Sequence, residues 1–366
     1  MALRLVLNCR EIPAFLRSTP VPVAFSSRHL LNPSQFAHRT SLLRYSRQAR
    51  NTRGAESFAP KQTTIVPTGI PGGSAALESG YIDPSRLWRS FVFTVAFSAG
   101  SFVGVTIWEY ETVRSRAMEA LRAKLNLNWF RERMKANRRE MEQWRKDVNG
   151  WWDKLSPGER IFAPICALNL VVFGMWRVPR LQPMMLRLFA SNPAAKAVCW
   201  PMFLSTFSHY SLFHIAANMY VLHSFCHGAV ATLGREQFLG LYLSAGVIAS
   251  FASHVFKTVM RQPGLSLGAS GAIMGILAYV CSQYPDTQLS IVFLPMFTFS
   301  AGAAIKVIMG IDLAGVLLGW KLFDHAAHLG GALFGMFWAY YGSRNVWPLR
   351  EHFVGYWHEW RGPPRK

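Results

Sequence analysis

The chain has 366 residues, a formal net charge of +20, 51% hydrophobic residues and only 16% charged ones. Soluble domains carry about 25% charged residues, and here the charges crowd before residue 160 and after residue 343, which argues against a water-soluble globular protein and for a polytopic membrane protein with basic ends. The cysteines (Cys9, Cys166, Cys199, Cys226, Cys281) are scattered and odd in number, so neither a disulfide framework nor a zinc site is expected, and the chain calls for no cofactor or metal.

Residues 1–55 read as a mitochondrial transit peptide. Arginines recur from Arg4 to Arg53, serines are frequent, Glu11 is the sole acid and lysine is absent. The alternative is a basic tail for anionic lipid or nucleic acid. Residues 56–89 follow as a flexible linker, richest in Pro and Gly between Pro67 and Gly73.

Residues 90–108 form a first spanning helix between Arg89 and Glu109, and its Gly100 and Gly104 offer a small face for a neighbouring helix. In 109–159 charges of both signs interleave with Met118, Leu121, Leu125, Met134 and Met141 at helical spacing. This predicts an amphipathic connector ending near Ser156-Pro157-Gly158. Its abundant acids argue against a nucleic-acid-binding arm.

Six apolar spans make up residues 160–343: approximately 161–176, 210–230, 237–256, 268–284, 290–312 and 325–342. The predicted fold class is therefore all-α, a polytopic bundle of one extra N-terminal helix plus six core helices. An odd number of spans puts the two ends on opposite sides of the membrane. Lys306 lies inside the fifth span, where snorkelling or pairing with Asp312 accounts for it. The loop 177–208 carries Leu186, Leu188, Phe189 and Trp200 and suits the interface. The tail, 344–366, alternates Trp347, Trp357 and Trp360 with Arg344, Arg350, Arg361 and Arg365, an interfacial anchor.

Three polar sites interrupt the core. Ser270 sits between Gly268 and Gly271, and Gly271 and Gly275 give its helix a small face. His328 precedes Gly331 and Gly335, a matching face on the last helix. If the two faces pack, a hydroxyl and an imidazole meet, the minimum equipment for nucleophilic hydrolysis. His214 and Asn218, four apart, share a helix face and can donate hydrogen bonds to an oxyanion. Each has a plainer reading: a serine bonded to the backbone one turn back, a packing histidine, an interhelical His/Asn pair. His325 and His328 could also ligate a metal, but no acid joins them in a pattern such as HExxH. Asp324 could orient His328 as the third member of a triad would; at the membrane boundary, ordinary solvation accounts for it better.

Gly268-Ala269-Ser270-Gly271, the run Ala327-His328-Leu329-Gly330-Gly331-Ala332-Leu333-Phe334-Gly335, and the run His209-Tyr210-Ser211-Leu212-Phe213-His214-Ile215-Ala216-Ala217-Asn218 together resemble the rhomboid intramembrane serine proteases. They stand in the family's order, on the second, fourth and sixth core helices, over residues 160–343. The leader and extra helix resemble the mitochondrial branch. The resemblance implies Ser270 as nucleophile, His328 as general base, and an oxyanion hole of His214, Asn218 and the Ser270 backbone N–H. It implies single-span membrane proteins as substrates, the mitochondrial inner membrane as location, and a link to apoptosis, mitochondrial morphology and mitophagy. Two departures bear on the loop and on packing. Trp200 is followed by Pro201 where many bacterial relatives have arginine, and Met274 stands where they often place a tyrosine against the catalytic histidine. The rivals are a non-catalytic rhomboid-like scaffold that binds transmembrane helices, and a transporter, which would show internal repeats.

Overall fold

A computed structural model describes residues 83–124, 142–262, 264–291 and 294–362. The transit-peptide reading, nearly all of the linker, the middle of the connector and the last four residues lie outside the described residues.

Helix α1 (Arg86–Lys124) is unbroken across the boundary expected after residue 108. Asp83 opens it, accepting from the Ser85 N–H at 2.9 Å and the Ser85 hydroxyl at 2.7 Å. Within it Thr94 and Thr106 donate to the carbonyls of Ser90 and Phe102, both at 2.8 Å, which satisfies hydroxyls that have no water to bond. Helix α2 (Glu142–Lys154) ends the connector. Helix α3 (Pro157–Met175) then starts on a capping box: Ser156 accepts from the Glu159 N–H, Glu159 accepts from the Ser156 N–H, and Pro157 fills the first position.

The loop after α3 folds into the short helices α4 (Gln182–Leu188) and α5 (Cys199–Leu204). It is anchored inward, and Leu186 and Phe189, expected at the interface, pack against the core. Met185 and Met202 are buried, Trp176 donates to Ser208 at 2.8 Å, and Arg86 donates to the carbonyls of Ala194 and Ala195. Trp200 is exposed, with its ring edge-on to Phe93 of α1.

Helix α6 (Leu212–Val259) is two spans joined at Gly234, whose φ of 76° and ψ of 167° break the helical winding at a position only glycine adopts readily. The expected spans 210–230 and 237–256 correspond to its two arms. Helix α7 (Ser270–Gln283) is the centre of the bundle, and every residue from Gly271 to Cys281 is buried. Its 14 residues cover about 21 Å at 1.5 Å per residue, against about 30 Å of hydrocarbon. A helix this short cannot reach both membrane surfaces, so an end of it lies within the bilayer depth.

The fifth span departs from expectation. Residues 290–312 are not one helix. A hairpin of β1 (Gln288–Ile291) and β2 (Leu294–Ser300) precedes helix α8 (Ala301–Leu318). The strands pair antiparallel, Leu289 opposite Phe299 and Ser290 opposite Thr298, with a bulge after Ser290. Pro295 cannot donate inside a helix, and Phe297, Thr298, Phe299 and Ser300 alternate with the period of a strand. Ser300 caps α8 by accepting from the Ala303 N–H, and Gly319, at φ 68°, ends it.

Helix α9 (His325–Phe337) winds on through wider i→i+5 turns to Val346, and α10 (Arg350–Arg361) closes the described chain. The tail, expected as an interfacial anchor, makes ion pairs within the protein. It returns to α1: Arg350 pairs with Glu109 at 3.1 Å, Arg361 with Glu111 at 3.1 Å, and Tyr110 with His358 at 2.6 Å.

Among the described residues four helices are long and apolar enough to cross a membrane, those of α1, α3, α6 and α8. Their outward surfaces are apolar, with Val95, Leu170, Val171, Val307 and Leu317 all exposed, as a lipid-facing surface requires. Lys306 also points outward and Asp312 is buried, so the two do not pair. Gly100 and Gly104 face open space among the described residues and form no packing face. The notch lies on the partner: Gly240 of α6 receives the ring of Phe102, which a Cβ there would meet at 2.9 Å.

Candidate active site

Ser270 and His328 meet because two glycine faces interlock. The space a Cβ would fill on Gly331 is taken by the carbonyl oxygen of Gly271, and that on Gly335 by the carbonyl oxygen of Gly275. Backbones pass this closely only where both helices lack side chains. Ser270 precedes the first of these contacts and His328 lies one turn before it. His328 Nε2 stands 2.9 Å from Ser270 Oγ.

The segment leading into Ser270 is fixed atom by atom. Ser191 and Ser266 exchange backbone hydrogen bonds, Gly268 N–H donates to the Ser205 carbonyl at 3.0 Å, and Ala269 N–H donates to His209 Nε2 at 3.3 Å. Gly268 has φ 131°, and a Cβ on it would meet the His214 ring at 2.8 Å. Glycine is required there by conformation and by space. Ser270 then opens α7, so its N–H belongs to the first helical turn, which has no carbonyl partner within the helix and carries the positive end of the helix dipole.

His214 and Asn218 lie in the first turns of α6, started by Ser211, which accepts from the His214 N–H at 3.1 Å. The His214 ring stands edge-on to that of buried His209, 4.8 Å between centroids. Asn218 is buried and donates one amide hydrogen to the His214 carbonyl at 2.9 Å, leaving its second. His214 is thus placed against Gly268, with Asn218 one turn further along the same face.

Two acids behave differently from expectation. Asp324 is not left to solvent. Its Oδ1 caps α9 by accepting from Ala327 N–H at 3.0 Å, and its Oδ2 receives Lys257 at 3.1 Å, Ser253 at 2.5 Å and Ser266. One carboxylate therefore ties the end of α6, the segment before Ser270 and the start of α9. Asp324→Ala is expected to destabilise the bundle by about 3 kcal/mol, since it strands Lys257 and uncaps α9. Thermal unfolding in detergent measures this; a midpoint unchanged from wild type contradicts the role of the network.

Asp312 is the residue that sequence reasoning misjudged. Its Oδ1 lies 2.7 Å from His325 Nδ1 and 3.3 Å from His328 Nδ1. His325 and His328 both turn Nδ1 to this carboxylate. An aspartate inside an apolar span was itself the available signal. Phe323, which no sequence motif marked, has its ring 6.1 Å from that of His328 and supplies aromatic contact to it, while Met274 is buried in α7.

The chemistry this arrangement allows is that of a hydroxyl at a helix N-terminus hydrogen-bonded to an imidazole, with a second imidazole, that of His214, against the glycine two residues before the serine. The chain is similar to several known proteins. The Rhomboid domain matches residues 196–345. The chain is 47% identical over 319 residues to the human presenilin-associated rhomboid-like protein, mitochondrial, covering 86% of this chain and 82% of that one. It is 46% identical over 293 residues to presenilin-associated rhomboid-like protein A, mitochondrial, of Danio rerio, covering 76% of each. It is 29% identical over 202 residues to Rhomboid protein 1, mitochondrial, of Saccharomyces cerevisiae, covering 54% of this chain and 57% of that one.

Proposed function

The chain belongs to the rhomboid family and is a multi-pass mitochondrial membrane protein, and from that premise we propose that it is a serine endopeptidase of the inner membrane that cuts single-span membrane proteins in or near their spanning segment. The observation that carries this reading is the 2.9 Å hydrogen bond between Ser270 Oγ and His328 Nε2, made at the head of a helix too short to cross the bilayer.

In this mechanism His328 Nε2 takes the hydroxyl proton as Ser270 Oγ attacks the scissile carbonyl. The oxyanion that develops is received by the Ser270 N–H, the free amide hydrogen of Asn218 and His214. His328 returns the proton to the leaving amine, and water, activated the same way, releases the acyl group. The substrate's own helix must open locally, because a helical peptide carbonyl is already hydrogen-bonded. The natural substrates would be inner-membrane proteins concerned with apoptosis, mitochondrial morphology and mitophagy.

Reconstituted protein given a reporter with one transmembrane segment tests the proposal. Cleavage by wild type that is lost in Ser270→Ala supports it; equal products from both overturn it. Asn218→Ala is expected to lower the cleavage rate about 10²-fold, the usual cost of one oxyanion donor. Reporter binding should be little changed, as followed by KM. A rate equal to wild type would remove Asn218 from the oxyanion hole.

A further inference from the structure

We propose that Asp312 is the positioning residue of the dyad: its buried carboxylate, on α8 opposite the head of α9, fixes which nitrogen of His328 faces Ser270. The proposal rests on the hydrolytic reading above and adds a third member to it.

Asp312 is 4% exposed in a helix otherwise suited to lipid. A carboxylate there is costly unless donors surround it. Its donors are two imidazoles, through Nδ1 of His325 at 2.7 Å and Nδ1 of His328 at 3.3 Å, both on the same oxygen. A carboxylate oxygen only accepts, so the pattern puts a hydrogen on each Nδ1. That leaves His328 Nε2 with its lone pair, 2.9 Å from Ser270 Oγ. This is the tautomer a general base needs. The other tautomer would present N–H to the serine and could take no proton. When His328 becomes imidazolium, the same carboxylate balances its charge.

The surroundings are built to hold this carboxylate. Gly315, one turn on from Asp312, lies where the His325 ring fills the space of a Cβ. His325 takes the shorter bond and acts as a strut, with Trp320 and Phe323 rings 5.9 and 6.0 Å from its own. Asp324, the acid nearer to His328 in sequence, is occupied by the α9 cap and Lys257. Among the described residues the hydrogen bonds of the Asp312 carboxylate go to these two histidines, so it acts through His328 and not on substrate.

The test uses the full chain in proteoliposomes with a single-span reporter, reading kcat, KM and thermal midpoint for Asp312→Asn, Asp312→Glu and His325→Phe. Asp312→Asn is expected to lower kcat about 10²-fold or more by permitting the wrong tautomer, with KM within about twofold of wild type. Asp312→Glu should recover part of the loss. His325→Phe breaks the shorter bond of the same carboxylate, and should lose less kcat than Asp312→Asn for an equal fall in midpoint. The proposal is overturned if Asp312→Asn keeps its kcat, if its loss falls in KM, or if the two variants lose kcat in proportion to their midpoints. Should Asp312→Asn fail to assemble, Asp312→Glu decides: lower kcat at unchanged KM supports the proposal, and wild-type kcat overturns it. A folded wild type that cleaves no more than Ser270→Ala removes the hydrolytic reading and this one together; a cleaving wild type with an equally active Asp312→Asn removes this one alone.

Discussion

Ser270→Ala is expected to abolish cleavage of a single-span reporter, a fall of at least ~10⁴-fold in single-turnover rate. Removing the hydroxyl removes the atom that bonds to the substrate carbonyl, and water held at the same place would lack a tether and a fixed orientation. His328→Ala should fall as far, since Ser270 would then have no acceptor for its proton. The double variant should be no slower than either single one, because the two residues act as a unit. The Ser270 side chain makes its hydrogen bond to His328 alone among the described contacts. Ser270→Ala should therefore fold normally, with stability within ~0.5 kcal/mol of wild type. Proteoliposome cleavage alongside thermal unfolding separates loss of chemistry from loss of fold. An active Ser270→Ala would require another nucleophile.

Gly331→Ala is expected to have the second largest effect, and through structure. The added methyl would occupy the position of the Gly271 carbonyl oxygen, part of a helix backbone packed on every side. No side chain can rotate away. Overpacking costs about 1–3 kcal/mol, occasionally more, and this site belongs at the upper end. Forcing α7 and α9 apart would also open the Ser270–His328 hydrogen bond, and a displacement of about 1 Å can cost 10²-fold in rate. The contrast is Gly100→Ala. Gly100 faces open space, so a methyl there is expected to leave stability unchanged or raise it by ~0.5–1 kcal/mol through helix propensity. Thermal midpoints and cleavage rates of the two variants check both statements. Equal behaviour would mean that the glycine interlock does not hold the site together.

These contrasts show which parts of the molecule its sequence could disclose. The pair Gly271/Gly275 and the pair Gly331/Gly335 each repeat every four residues beside a reactive side chain, and period and chemistry together pointed to one contact. Gly100/Gly104 has the same period, but which face of α1 meets the bundle depends on where Gly240 lies on α6, and no local pattern in α1 encodes that. The hairpin was hidden because apolarity over residues 290–312 reads as a span regardless of winding; Pro295 and the alternation of Phe297 and Phe299 with polar residues carried the strand period on a shorter scale. Asp312 was legible as an intramembrane acid, but its partners sit 13 and 16 residues away across a turn, beyond helical spacing. Lys306 was the nearer opposite charge and the wrong one. Asp324 was judged by its place at the membrane boundary, whereas Lys257 and Ser266 reach it from other elements.

The central claim is that Ser270 is a nucleophile made reactive by His328, and covalent labelling with a fluorophosphonate tests it without any choice of substrate. Serine attack on phosphorus expels fluoride and leaves a stable adduct whose position peptide mapping identifies. An adduct is expected on Ser270 in the reconstituted wild type, lost in Ser270→Ala and slowed at least ~10²-fold in His328→Ala. No adduct on Ser270 in the folded wild type, or an equal rate in His328→Ala, would contradict it and turn attention to a scaffold that binds transmembrane helices without cutting them.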